Sequence, residues 1–185
     1  MAEYYLISQL PSLDGISENT PLPITEERFA ELCNRFLGKR SQEAMNKLTL
    51  APPKSRDSSG SVLIDAWNES ERTLRFALGK VRAEKMKKPF DTENRIFPVE
   101  YIKAASAAIE IENPMEAEKY LNSYRLEILE TLRPMDSFSE DYIFYYGLKL
   151  KLLLRIRQFD TKSGEKAYKN IYDSILNGDR LEAKQ

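Results

Sequence analysis

Two consecutive helix patterns between Asn113 and Phe159 limit what this chain can fold into more than any other stretch. Asn113 is placed to cap the first, with Pro114 at the first helical position and Glu116 at the third, where a carboxylate reaches back to the cap. Ala117, Tyr120, Leu121, Tyr124, Ile128, Leu129 and Leu132 then form one apolar stripe, and Pro134 ends the helix. Ser139 caps the second pattern, with Glu140 and Asp141 in its first turn. Its apolar residues, from Tyr142 and Ile143 through Leu148, Leu150 and Leu152 to Phe159, occupy more than one face. Such a helix is covered on several sides, so 139–159 is expected at the centre of the fold. Lys149, Lys151, Arg155 and Arg157 must share a narrow exposed stripe, snorkel at its edges, or meet an acidic partner.

The rest of the chain is compatible with helices around that centre. Residues 4–10 read as a short strand or a helical turn, ended by Pro11 and Asp14-Gly15. After a loop at Asn19 to Pro23, Thr25 caps a helix carrying Phe29, Leu32, Cys33 and Phe36, which Gly38 is expected to close. A short helix from Ser41 carries Ala44, Met45 and Leu48, and the breaker-rich 51–60 stretch reads as a mobile loop. The longest helix spans about 61–88, where Leu63, Trp67, Ser70, Leu74, Ala77 and Val81 recur at alternating spacings of four and three. Its basic end, Lys80 to Lys88, reads either as an anionic docking patch or as charge complementarity to the helix dipole. Pro98 begins a helix through Ile111 rich in small residues. A last helix, Ser163 to Leu176, is expected to bury Ala167, Tyr168, Ile171, Tyr172 and Ile175, leaving a frayed tail at 179–185. The fold class is therefore all-α: one helical domain over 1–185, a bundle of about six to seven helices.

Composition narrows the chemistry. A chain of 185 residues suits one domain, and 28 Lys and Arg against 29 Asp and Glu give no net field to attract nucleic acid or an anionic membrane. The chain has no histidine, which removes the commonest general base, the histidine-assisted nucleophiles and the usual zinc ligand. The seven glycines form no phosphate-binding loop. Cys33, the single cysteine, excludes an internal disulfide and points to a reducing compartment, the cytoplasm. No signal peptide and no apolar run of about 20 residues is present, so direct membrane insertion is not expected. No cofactor, metal or catalytic residue is assigned.

Three stretches carry a resemblance. They are Tyr4-Tyr5-Leu6-Ile7-Ser8-Gln9-Leu10-Pro11; the spacing of Trp67, Glu71, Leu74, Arg75, Arg82 and Ala83; and the block from Asn113-Pro114-Met115-Glu116-Ala117-Glu118. That block runs on through Arg125, Leu129, Glu130, Leu132, Phe138, Tyr145, Leu148-Lys149-Leu150, Leu153, Arg155, Phe159 and Gly164. In these the chain resembles a bacterial family of unassigned function whose genes lie among those of V-type ATPases, itself similar to a reduced stalk subunit of the kind called C or d. Leu126 stands where that family has an aromatic. The resemblance implies a wholly helical, non-catalytic part that joins rotor shaft to membrane ring, or an assembly factor, held at the inner membrane through the complex.

Two other classes stay open: a general helical adaptor taking a peptide or protein in a groove between helices, and a carboxylate enzyme built on Glu112, Glu116 and Glu118. The residues assigned to an interaction surface are Tyr4, Tyr5, Arg75 and Arg82, polar or amphipathic positions that a core does not require. For Tyr4 and Tyr5 the competing reading is packing of the N-terminal segment onto the bundle. Trp67 and Tyr145 are assigned to the core.

Overall fold

The computed structural model describes residues 2–16, 20–91, 97–158 and 168–172. Seven helices follow in order: α1 (Ala2–Gln9), α2 (Glu26–Phe36), α3 (Lys39–Asn46), α4 (Val62–Lys85), α5 (Val99–Glu110), α6 (Pro114–Thr131) and α7 (Glu140–Gln158). Residues 168–172 are helical as well, and no strand occurs among the described residues. None of these helices is long and apolar enough to cross a membrane.

Local chemistry sets the helix ends. Thr25 Oγ1 accepts from the Arg28 amide at 3.2 Å, Ser61 Oγ from the Ile64 amide at 3.2 Å, and Asn113 Oδ1 from the Met115 amide at 3.0 Å. Each thereby satisfies a donor that a helix start leaves open. Ser61 also donates to Asp141 Oδ1 at 2.6 Å, which ties the start of α4 to the first turn of α7. At the other end of α4, Lys88 N donates to Ala83 O and Lys87 N to Glu84 O, a Schellman closure with Lys87 in the left-handed region at φ +54°.

Helix α7 is the centre. Ile143, Tyr146, Leu150 and Leu153 face α1, the 10–16 strap and α2, packing on Leu6, Leu13, Phe29 and Leu32. Phe144, Tyr145, Leu148 and Leu152 line the other side and meet Leu48, Leu63, Ile64, Trp67 and Leu129. The two sets each keep helical spacing, which is why the sequence shows apolar residues all round. Gly147 sits where these layers close in, because a Cβ there would lie 3.0 Å from Leu48, 3.2 Å from Phe29 and 3.3 Å from Met45. A third cluster, Leu74, Ala77, Leu78, Ala105, Ala108 and Leu121, joins α4, α5 and α6, with the alanines of α5 permitting the close approach.

Several expectations shift in detail. Residues 2–9 form a helix, which settles the strand-or-helix ambiguity. Gly38 does not close α2; the helix ends at Phe36 with Leu37 as its C-cap, and Gly38 is the N-cap of α3, which begins at Lys39 instead of Ser41. Pro98 precedes α5 as its N-cap. The 51–60 segment is exposed yet anchored, because Arg72 donates to the carbonyls of Pro53 and Ser55 while Asp65 accepts from Ser58 Oγ and Ser59 N. Tyr168, Ile171 and Tyr172, expected inside, are exposed, and the two rings stack on each other instead of joining the core. The remainder of that expected helix, Phe159 and the 179–185 tail lie outside the described residues.

Candidate interaction site

The four residues assigned to an interaction surface do not converge. Tyr4 and Tyr5 stand on α1 with 55% and 59% of their surfaces exposed. Their i, i+1 relation turns them to different directions on a helix, but Tyr4 stacks on Phe138 of the loop between α6 and α7, centroids 5.0 Å apart at 26°. Tyr5 meets Tyr4 edge to face at 6.1 Å. Phe138 is itself 52% exposed, and Met135 of the same loop is fully exposed. The packing reading holds for Tyr4, which docks the N-terminal helix on Phe138, and the three rings leave an aromatic surface facing water.

Arg75 has a different environment. Its Nε donates to Glu71 Oε1 at 2.9 Å, the i, i+4 pair readable in the sequence. Glu71 itself is buried, and its two oxygens also accept from Arg125 of α6, Nε to Oε2 at 3.0 Å and Nη2 to Oε1 at 3.2 Å. Arg125 extends the network through Nη1 to Asn122 Oδ1 at 3.0 Å and to Glu118 Oε1 at 3.3 Å. Arg155 of α7 reaches the same Glu118 oxygen at 2.6 Å. Five charged side chains thus brace α4, α6 and α7 against one another. The two-pronged Arg125–Glu71 contact at their centre has the geometry that offsets the cost of burying charge. The half-exposed edge of Arg75 opens with Lys151 and Arg155 onto a shallow groove between α4, α7 and residues 48–51. Arg82 is exposed two turns farther along α4 and takes no part in the network.

A second network pins the 10–16 strap. Lys149, on the centre of α7, donates to Asp14 Oδ1 and Glu130 Oε1, each at 2.6 Å, and Tyr145 donates to the same Glu130 oxygen at 2.8 Å. Tyr146 donates to Pro11 O at 2.8 Å, and Gly15 supplies the left-handed turn at φ +70°. Burial works against the lysine charge, but its hydrogen bonds to Asp14 and Glu130 outweigh it and raise its pKa. Hydrogen bonding to Lys149 holds Asp14 below the usual carboxylate range. Burial pushes Glu130 the other way, and the Lys149 and Tyr145 hydrogen bonds overcome it. Burial first, then the bond to Glu130, pushes the Tyr145 phenol up to about 12. A lysine held charged beside a phenol held protonated is suited to fastening a strap and poorly suited to nucleophilic or proton-transfer chemistry at neutral pH. Burial likewise pushes the Cys33 thiol up to about 12.

The carboxylates proposed for an enzyme also diverge. Glu118 turns into the arginine network, and Glu116 pairs with Lys119 at 3.7 Å on the surface. Among the described residues no group of three or more Cys, Asp and Glu is arranged to hold a metal. The basic end of α4 is partly used internally, since Lys80 lies over the Phe97 ring and Lys85 donates to Ile109 O.

Sequence reasoning missed the Glu71–Arg125 contact, because its partners are 54 residues apart and only the local half of it leaves a periodic signal. Phe138 was also missed as the platform for Tyr4. The signal available was an aromatic in a polar loop, beside a helix start.

Residues 90–179 match the family model described as a protein of unknown function, DUF2764, and this span takes in α5, α6 and α7. No curated protein and no solved structure matches the chain. The matching span contains Glu118, Arg125, Phe138, Tyr145 and Lys149, whereas Tyr4, Tyr5, Glu71 and Arg75 precede it.

Proposed function

We propose that this protein is a non-catalytic interaction component of a bacterial V-type ATPase, acting either as a stalk or coupling part of the C-like kind or as an assembly factor. On this reading it is cytoplasmic and held at the inner membrane by binding the rotor shaft or the membrane ring. The likeness of the three sequence stretches supports the assignment. The observation that carries it is the bracing network, in which Glu71, Arg75, Glu118, Arg125 and Arg155, all drawn from those stretches, join three helices from residues far apart in sequence. A part that passes force or positions a neighbour needs a body whose helices do not slide independently, and such a network supplies that. Affinity purification of the tagged protein from its native host, with a salt wash and mass spectrometry of the eluate, tests the reading. ATPase head, shaft or ring proteins in a fixed ratio are the expected result, and elution alone or with unrelated proteins overturns it.

A second reading, a general adaptor that takes a peptide between helices, is favoured by one feature. A groove of about 480 Å³ lies between α3, the 51–60 segment and the start of α4, with Leu48 and Ile64 on its floor and Arg40, Glu43 and Lys47 on its rim. A gene neighbourhood unrelated to ion transport, together with peptide cross-links to these residues, distinguishes it.

A further inference from the structure

The exposed aromatic surface has a chemical bias of its own. Glu3 adjoins Tyr4 on α1, Asp136 precedes Phe138 by two residues, and Glu140 and Asp141 follow it in the first turn of α7. Asp136 shapes the loop, its Oδ1 accepting from the Phe138 amide at 2.9 Å, and the Phe138 ring stacks on Tyr4. Glu140 is pushed above the usual carboxylate range, first by burial and then by the charges of Glu3 and Asp141, with Arg40 opposing only in part. These carboxylates are close enough to repel one another. Stacked and edge-to-face rings offer negative π faces, which attract ammonium and guanidinium groups much as the carboxylates beside them do. Three rings and a methionine, each more than half exposed, give this end of the molecule apolar surface of the kind that marks an interaction site.

We infer that the surface made by Tyr4, Tyr5 and Phe138, bordered by Asp136 and Glu140, docks a basic amphipathic segment of a partner protein, lysines or arginines on the rings and carboxylates and aliphatic side chains against Phe138 and the exposed Met135 of the same loop. This deepens the interaction role proposed above by naming the chemistry of the partner. The sign is specific. An acidic segment meets like charge on the border, and a second copy of this chain presents the same acidic rim and repels it. The groove beside Arg75 offers no comparable one-sided field, because Lys151 pairs with Glu26, Arg155 with Glu118 and Arg75 with Glu71.

The test uses the full chain and two synthetic probes. One is an amphipathic peptide of about 15 residues with lysines on one face and leucines on the other; the second has glutamate at every lysine position. Backbone and aromatic NMR shifts are followed during titration at low salt. The lysine peptide is expected to bind and to move the signals of Tyr4, Tyr5 and Phe138. Its affinity falls by about tenfold or more in a Tyr4→Ser/Tyr5→Ser variant and several-fold in Asp136→Asn/Glu140→Gln, while both variants still unfold cooperatively above the temperature of the titration. Equal binding of both peptides, shifts confined to other surfaces, or undiminished binding in both variants overturns the inference, as does a dimer of the free chain that the tyrosine substitutions dissolve. Repeating the native-host purification with the tyrosine variant separates this inference from the functional reading. ATPase proteins retained by the variant sink the docking surface and leave the role standing; a lysine peptide that binds at the patch while no ATPase protein elutes with the wild type does the reverse.

Discussion

The bracing network of α4, α6 and α7 and the aromatic surface at α1 use similar residue types to opposite ends. In the first, arginine and glutamate are turned inward, Glu71 is almost fully buried, and its oxygens accept from Arg75 and Arg125. In the second, rings and carboxylates are turned outward, and the Tyr4–Phe138 stack leaves both rings more than half exposed. The comparison shows that residue type alone does not locate an interface. Arginine reads as a surface residue and tyrosine as an amphipathic one, yet here the arginines hold the body together and the tyrosines stay exposed to water.

The largest expected effect breaks the inward region. Arg125→Ala removes two of the three hydrogen bonds that Glu71 accepts, leaving only the half-exposed Arg75, and should lower unfolding free energy by about 3 kcal/mol in urea denaturation. A loss below about 1 kcal/mol would mean that Glu71 reaches water and that the network braces little. Gly147→Val, which drives a side chain into Leu48, Phe29 and Met45, should cost about 2 kcal/mol by the same measurement.

Lys149→Met sharpens the contrast within the charged networks. Asp14 and Glu130 are partly exposed and turn to solvent when the lysine is gone, so the cost should be smaller, about 1–2 kcal/mol at neutral pH. Its pH dependence has a definite sign. Both carboxylates are depressed in the folded state, so the stability they contribute is complete above the ordinary carboxylate range and is lost as pH falls through their folded values. The gap between wild type and Lys149→Met should therefore close below about pH 4. A gap that stays constant down to acid would show that the ion pairs contribute nothing. Lys87→Gly, relieving the left-handed lysine at the end of α4, should gain about 0.5 kcal/mol, read as a small rise in melting temperature.

Much of this fold was legible because it is periodic. The all-round apolar pattern of α7 announced a central helix, and caps at Thr25, Asn113 and Ser139 placed three helix starts. The surroundings of the candidate residues were less legible. Glu71 and Arg75 looked like an ordinary exposed i, i+4 pair, since nothing local reveals that Arg125 approaches Glu71 from another helix. The spacing of Tyr168, Ile171 and Tyr172 likewise described an amphipathic face without saying whether the bundle covers it, and it does not. Periodicity reports which side of a helix is apolar; contacts between distant segments decide what lies against it.

The most direct measurement pairs stability with binding in Tyr4→Ser/Tyr5→Ser. Urea unfolding should fall by only about 1 kcal/mol, the worth of the lost Tyr4–Phe138 stack, so that the chain stays folded while ATPase proteins that elute with the wild type are lost. A variant that keeps its partners would contradict the account, as would one that loses them only because it unfolds.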